Sequence, residues 1–490
     1  MEYADLVNLT FGRSTAESEA EKLDEYFIST QAYINAKNEE RRKIYYVGHR
    51  GAGKSALLNK LAHEFQNDGN SIILKMTPHD FSYELFRKRE HDYVEVRSVY
   101  AAVWHYTLVI QLLKRIVNYF NERPHLKANR DNVIKLKKYL ITKGFYEADS
   151  ILEVFFSFLR EATVIKVANK LQNIETASYR GDKQLFRFLN LSEISSELNA
   201  LENITDTHPI YLFIDELDTG WDNTKEAQNF IYGLFYAVRE IRKLRNVTAF
   251  VSLRSDMYND LSSILPDPEK MRDDIERFTW NEKTLRWLIG RRITVYSRNK
   301  ELERCSPEEA ISNVFEKGVL SYIISHSLHR PREIIQFCNE ALDELRSLIY
   351  SETRPTKVNM DVVNSVAPTF SRNRFYDLCE EYKHQYPGLE TLLSCFEHAP
   401  EYYLLDEFKS KLEEAMLKTV EKIGGDSWIQ DYLDTPMKLI EILFEIGFIK
   451  LYSQKDQKYL AYYETTFLSL DNIPQLKIHD VFVSALKCKC

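Results

Sequence analysis

Residues 48–55 read GHRGAGKS. They satisfy G-x-x-x-x-G-K-[ST] at every fixed position, follow the apolar run Ile44–Val47, and lead into SALLNKLAHEF. Strand, glycine-rich loop and helix in that order form a phosphate cradle. The loop lets the backbone curl, and its amide N–H groups converge with the helix N-terminus on polyanionic oxygens. The candidate binding set is Gly48, His49, Arg50, Gly51, Ala52, Gly53, Lys54, Ser55 and Ala56. Lys54 is placed to reach the β- and γ-phosphates, and Ser55 offers the hydroxyl that a Mg²⁺ ion takes as a ligand.

Such a loop needs a second, acidic strand, because Mg²⁺ prefers octahedral oxygen ligation and draws on a nearby carboxylate. Residues 210–218, IYLFIDELD, are an apolar strand that ends in adjacent acids. Asp215 is the expected metal partner, and Glu216 is placed to polarise an attacking water. A further apolar run, Val247–Leu253, ends near Ser252, Arg254 and Asp256, where open parallel sheets bind ligands. Ser252 or Arg254 could sense the γ-phosphate, and a structural Arg254–Asp256 pair is the competing reading. Ile72–Lys75 and Ile275–Trp280 complete five strands, whose crossovers imply a parallel sheet between helices. No N-K-x-D element is present, which favours adenine over guanine. Phe11, Gly12, Tyr26 and Phe27 form either an adenine-stacking wall or ordinary packing.

The chain has 490 residues with Lys plus Arg 65 and Asp plus Glu 73, a net charge of −8. That length predicts about three domains. A mildly acidic protein has no global attraction to DNA or anionic membrane, so nucleic-acid contact requires a local patch. No stretch reaches the ~18 uncharged apolar residues of a spanning helix, and the start, MEYADLVNLTFG, lacks a signal pattern, so a cytoplasmic location is expected. Six scattered cysteines suit reduced thiols, and Cys488 and Cys490 read as a frayed tail rather than a metal site.

About 120 residues, from Arg87 to near His208, separate the second strand from Asp215, and insertions of that size usually carry a specific function. Within them Val99, Val103, Tyr106, Ile110, Leu113, Val117 and Phe120 recur at helical spacing, which predicts one long helix packed inside the subunit. The stretch from Lys114 to Lys143 carries Lys114, Arg115, Arg123, Lys127, Arg130, Lys135, Lys137, Lys138 and Lys143 against Glu122 and Asp131, a local charge of 9 − 2 = +7. It could hold nucleic acid or an acidic partner, or be a solvated helix face.

Near the C-terminus, Thr435 and Pro436 read as an N-cap and first helical residue, and Gly447 as the stop. Two strands follow, Phe448–Ser453 and Tyr459–Glu464, and helix then hairpin is how a winged helix finishes. From Thr391 onward the charge is 11 − 16 = −5, which repels phosphates. This segment is expected to dock on protein, either the chain's own core or a partner, rather than to read DNA sequence.

With GHRGAGKS, LFIDELD, VSLRSD, FTWNEKTLRWLIGRRI and HRPREIIQFCNEA in this order, the chain resembles bacterial AAA-type ATPases of the origin-recognition-like group. It is also similar to STAND signalling ATPases, many of which act in defence against phage. The resemblance implies an α/β P-loop NTPase (ASCE) core, a helical lid and an end domain of winged-helix type. It implies further that Arg332 of HRPRE acts as a second sensor, and that Arg272 or Arg277 serves a neighbouring subunit as a finger. The expected layout is a core over 1–86 and 209–280, a helical insertion over 87–208, a lid over 281–388 and a winged-helix-like domain over 389–490. Two functions follow. One is an ATP- and Mg²⁺-dependent switch, homo-oligomeric or complexed with a separate effector protein, in antiviral defence. The other is a DNA-binding initiator or loader. A pseudo-ATPase that binds without turnover is a third reading, which the intact Asp215–Glu216 pair opposes.

Overall fold

The computed structural model describes residues 6, 8–15, 19, 22–77, 97–126, 129–147, 191–219, 221–262, 268–297, 299–348, 355–423, 428–465 and 473–489. Much of the expected insertion, and Lys127 and Cys490, lie outside these residues. The chain divides into two compact units, one of Gln31–Val47 and Leu57–Arg277, the other of Met1–Thr30, Gly48–Ala56 and Phe278–Cys490.

The first unit is built on five parallel strands: β1 (Tyr45–Val47), β2 (Ile72–Met76), β3 (Ile210–Ile214), β4 (Val247–Leu253) and β5 (Ile275–Arg277), in the order β2-β3-β4-β1-β5. Helix α1 (Lys54–Asn67) connects β1 to β2. The helices α2 (Arg97–Asn121), α3 (Arg130–Thr142) and α4 (Leu191–Thr205) lie between β2 and β3, and α5 (Lys225–Ile241) between β3 and β4. The strands read as nearly unbroken apolar runs because both faces of the sheet are covered. On one face Phe65 of α1 stacks on Tyr211 at 4.0 Å, beside Phe213 and Phe250. On the other face Tyr45 meets Phe235 of α5 at 4.5 Å, and its hydroxyl donates to the Phe235 carbonyl. Successive residues thus serve opposite layers, as the pleat requires.

Helix α2 carries the seam expected from sequence: Val103, Tyr106, Ile110, Leu113, Val117 and Phe120 are all buried. Trp104 packs edge-on against Phe230 of α5 at 4.9 Å. The long helix is therefore structural core for the sheet's outer layer. Its basic C-terminal end and α3 share the surface beyond, with Arg130, Lys135, Lys138 and Lys143 exposed.

In the second unit, α6 (Glu282–Tyr296), α7 (Pro331–Ser347) and α8 (Met360–Tyr382) precede β6 (Tyr402–Leu404), α9 (Leu405–Ile423), α10 (Pro436–Glu445), β7 (Ile449–Ser453), β8 (Lys458–Leu460) and β9 (Gln475–Ile478). The four strands form an antiparallel sheet ordered β6-β9-β7-β8. These helices and the sheet share one hydrophobic core: Phe337 of α7 stacks on Phe370 of α8 at 4.1 Å, and Phe375 lies edge-on to Phe482. Thr435 occupies the N-cap position of α10 without a side-chain cap bond, and Pro436 is its first helical residue. The helix ends at Gly447 (φ 87°), whose N–H reaches Phe444 O while Phe448 N–H reaches Leu443 O, the paired C-terminal bonds that satisfy the last carbonyls. The second hairpin strand stops at Leu460, short of Glu464, because the Glu464 carboxylate takes the Ala461 N–H and bends the chain out of the ladder. Among the described residues no helix is long and apolar enough to cross a membrane.

Candidate functional site

The ladder register aligns the exits of three strands. Val47 pairs with Leu253, and Ile214 with Val251, so β1, β3 and β4 all end at one edge of the sheet. The chain runs from Val47 directly into Gly48, and from Ile214 directly into Asp215. Parallel α/β sheets place their ligand chemistry at this edge.

Asp215 takes the Glu216 backbone N–H on Oδ1 at 2.9 Å, and donates its own N–H to Met76 O. Glu216 adopts φ 60°, a left-handed conformation uncommon for a side chain of this kind. Strain of that sort, held between a strand end and a carboxylate, is typical of sites where geometry matters more than local stability. Ser252 is buried in β4. Arg254 is also buried, with its guanidinium on the Asp256 carboxylate in two hydrogen bonds and Asp218 at 3.9 Å. The structural pairing considered for Arg254 is thus the one present.

In the second unit, Gly51 and Gly53 of the loop adopt φ 76° and 93°, left-handed values that suit glycine, and the Ala52 N–H between them donates to His49 O. Lys54 Nζ curls back to donate to Gly48 O at 2.8 Å and His49 O at 3.0 Å. Trp280 donates its indole N–H to Ala52 O at 2.8 Å. The ring of His49 meets that of Tyr462 edge-on at 5.8 Å. Ser55 and Ala56 open α1 and are partly buried.

Arg332, on the first turn of α7, lies against the loop: a β-carbon built on Gly51 would sit 3.2 Å from Arg332 Cβ. Arg50, Gly51, Arg330, Arg332 and Arg374 share the lining of one cavity of about 230 Å³. Arg330 is buried and paired with Glu381 at 2.6 Å, which holds its guanidinium firmly charged despite burial. Desolvation raises the pKa of the neighbouring Glu333, against the pull of Arg330 and Arg374. The segment before α7 is fixed by the end of the chain. Tyr463 stacks on His329 at 4.3 Å and donates its hydroxyl to Ser327 O. His479 Nδ1 accepts from Val481 N–H, so its other nitrogen carries the proton and donates to Tyr463.

The remaining candidates are more scattered. Phe11 is buried and stacks on Phe315, and Tyr26 is buried between Tyr296 and Arg292, so both serve as packing; Phe27 is partly buried. Gly12 instead lines an open groove of about 500 Å³ together with Arg13, Ser14, Thr15, Gln336 and Asn339. Arg272 and Arg277 are both exposed, Arg277 with its guanidinium 5.3 Å from the Tyr258 ring centre. Sequence reasoning missed Arg374 and Tyr463, which carry no local motif, and read Trp280 only as the end of a strand.

The fold is that of a P-loop α/β protein with helical additions. A model of the FunZ-associated C-terminal helical domain matches residues 283–379. A curated relative from Escherichia coli (strain K12), the putative transposon gamma-delta 80.3 kDa protein, is 24% identical over 463 residues. The match takes in 92% of this chain but 62% of that protein's length. Among solved structures, the Aeropyrum pernix ORC2 protein in ADPNP–ADP complexes is 10% identical with a TM-score of 0.40, covering 90% of this chain and 85% of that one. CDC6P from Pyrobaculum aerophilum is 11% identical with a TM-score of 0.28, covering 97% and 96%.

Proposed function

We propose that this chain binds and hydrolyses ATP with Mg²⁺ and works as a nucleotide-driven module on DNA, in the manner of an initiator or loader. The observation that carries the reading is the common edge of the parallel sheet, where β1 runs into the glycine loop and β3 into Asp215–Glu216. The residues fit the ligand. A glycine-rich loop and the Lys54 ammonium suit phosphate oxygens, and the hydroxyl of Ser55 and the carboxylate of Asp215 are hard oxygen donors of the kind Mg²⁺ takes. Bound Mg²⁺ would neutralise phosphate charge. Glu216 would orient and deprotonate water, and Lys54 would exchange its loop carbonyls for phosphate. Arg332 would answer the γ-phosphate from α7, while Ser252 and Arg254 stand at the end of β4 as lesser candidates.

The DNA reading is supported by the relative's name as a transposon protein and by the exposed cations of α3. That association favours it over an antiviral switch with a separate effector. The deciding assay measures phosphate release by the whole chain with Mg²⁺ and ATP, with and without duplex DNA. We expect turnover that rises on DNA and is lost in Glu216→Gln, which still binds ATP. Turnover in Glu216→Gln equal to the parent's would remove the general-base assignment, and indifference to DNA would remove the loader reading.

A further inference from the structure

We propose that Arg374, on α8, is a phosphate-binding residue that meets the terminal phosphate of a bound nucleoside triphosphate alongside Arg332. The proposal rests on the nucleotide reading above and adds to it the group that tells triphosphate from diphosphate.

The cavity beside Gly51 is lined by guanidinium groups from three places: Arg50 on the loop, Arg330 and Arg332 at the start of α7, and Arg374 on α8. Such a lining suits a phosphate dianion, whose oxygens take paired hydrogen bonds from a planar guanidinium. At about 230 Å³ the space equals roughly seven waters at ~30 Å³ each, enough for a phosphate group and part of its hydration. The cavity flanks Arg50 and Gly51 of the phosphate loop.

The close ion pair of Arg374 is unbalanced. Its side chain is 11% exposed, yet its counter-ion Asp377, at 2.5 Å, is 61% exposed. A carboxylate so well hydrated returns little to a buried cation. The Arg374 Nε has no hydrogen-bond partner among the described residues. Of the other carboxylates nearby, Glu381 pairs with Arg330 and Glu380 with Lys383, while Glu333, which takes the Leu328 N–H, and Glu340 both feel the Arg374 charge without an ion pair to it among the described residues. The Phe370 ring, 5.2 Å from the Arg374 guanidinium, holds it in place, and Phe370 itself stacks on Phe337 of α7. One packed pair of helices thus presents both Arg332 and Arg374 to the same space.

The test is titration calorimetry of the full chain with a non-hydrolysable ATP analogue and with ADP, for the parent, Arg374→Ala and Arg374→Lys. The expected result is an analogue Kd about tenfold weaker in Arg374→Ala, with ADP affinity changed by less than about twofold and part of the loss restored by lysine. Arg374→Met, which keeps an unbranched stem over Phe370, covers the case in which alanine lowers folding. Equal losses for both nucleotides, or no loss for either, overturn the proposal. A parent chain that binds neither nucleotide overturns the nucleotide reading itself.

Discussion

Trp280 donates its indole N–H to the Ala52 carbonyl across 2.8 Å, bracing the phosphate loop from the segment that follows β5. Trp280→Phe keeps most of the ring and removes the donor, leaving a loop carbonyl without that bond. The expected cost is about 1 kcal/mol of stability and a several-fold rise in the KM for ATP at nearly unchanged kcat. Steady-state kinetics with thermal melting checks it, and an unchanged KM would show that the loop does not need this brace.

The Arg254–Asp256 pair is buried on both sides, with side chains 5% and 14% exposed. Asp256→Ala removes the nearest carboxylate from a buried guanidinium, so a loss of about 3 kcal/mol is expected in urea unfolding. Arg254→Met combined with Asp256→Ala should recover a large part of it. A double variant as unstable as the sum of the singles would mean that the two residues are not coupled.

Acid should weaken the fold before its carboxylates titrate. Burial lowers the pKa of His105 to about 4, and burial likewise pushes His479 and His329 down. Each is neutral when folded and takes a proton more readily when unfolded, so stability is complete above about pH 6.5 and falls as pH drops toward 4. His105 alone accounts for roughly 2 kcal/mol between pH 8 and pH 5. His105→Phe should flatten the fall in melting temperature over that range; an unaltered slope would clear His105 of any part in it.

Duplex binding, if α3 carries it, depends on the cations that remain outward. Arg115 is spent on Ile73 O and Glu122, Arg123 on Glu122 and the Tyr119 ring, and Lys135 on Ser196 O. Arg130→Glu with Lys138→Glu should therefore weaken DNA affinity at low salt and reduce the log–log salt slope by about 2. An unchanged slope places the contact elsewhere.

Where an apolar run ended in charge, as at Ile214–Asp215 and Leu253–Arg254, the strand and its ligand-facing exit were readable from sequence, because burial on both faces leaves so plain a pattern. The fifth strand was not. Ile275–Trp280 looks continuous, but pairing stops at Arg277, since Phe278 and Trp280 are aromatic for the sake of the loop rather than the sheet. Arg332 was placed by family pattern. Arg374 could not be found in that way, because it reaches the same cavity from a different helix and only tertiary packing of Phe337 on Phe370 brings the two together. The basic stretch was legible as charge but not as surface, since hydrogen bonds to backbone and rings withdraw several of its members.

The central claim is that the loop of residues 48–55 holds a triphosphate through Lys54. Calorimetric titration of ATP with Mg²⁺ into the parent chain and into Lys54→Ala, both checked for equal melting temperature, measures this directly. The account predicts saturable one-site binding by the parent and a loss of affinity of about a hundredfold or more in the variant. Equal affinity in the two proteins, or none in the parent, would contradict it.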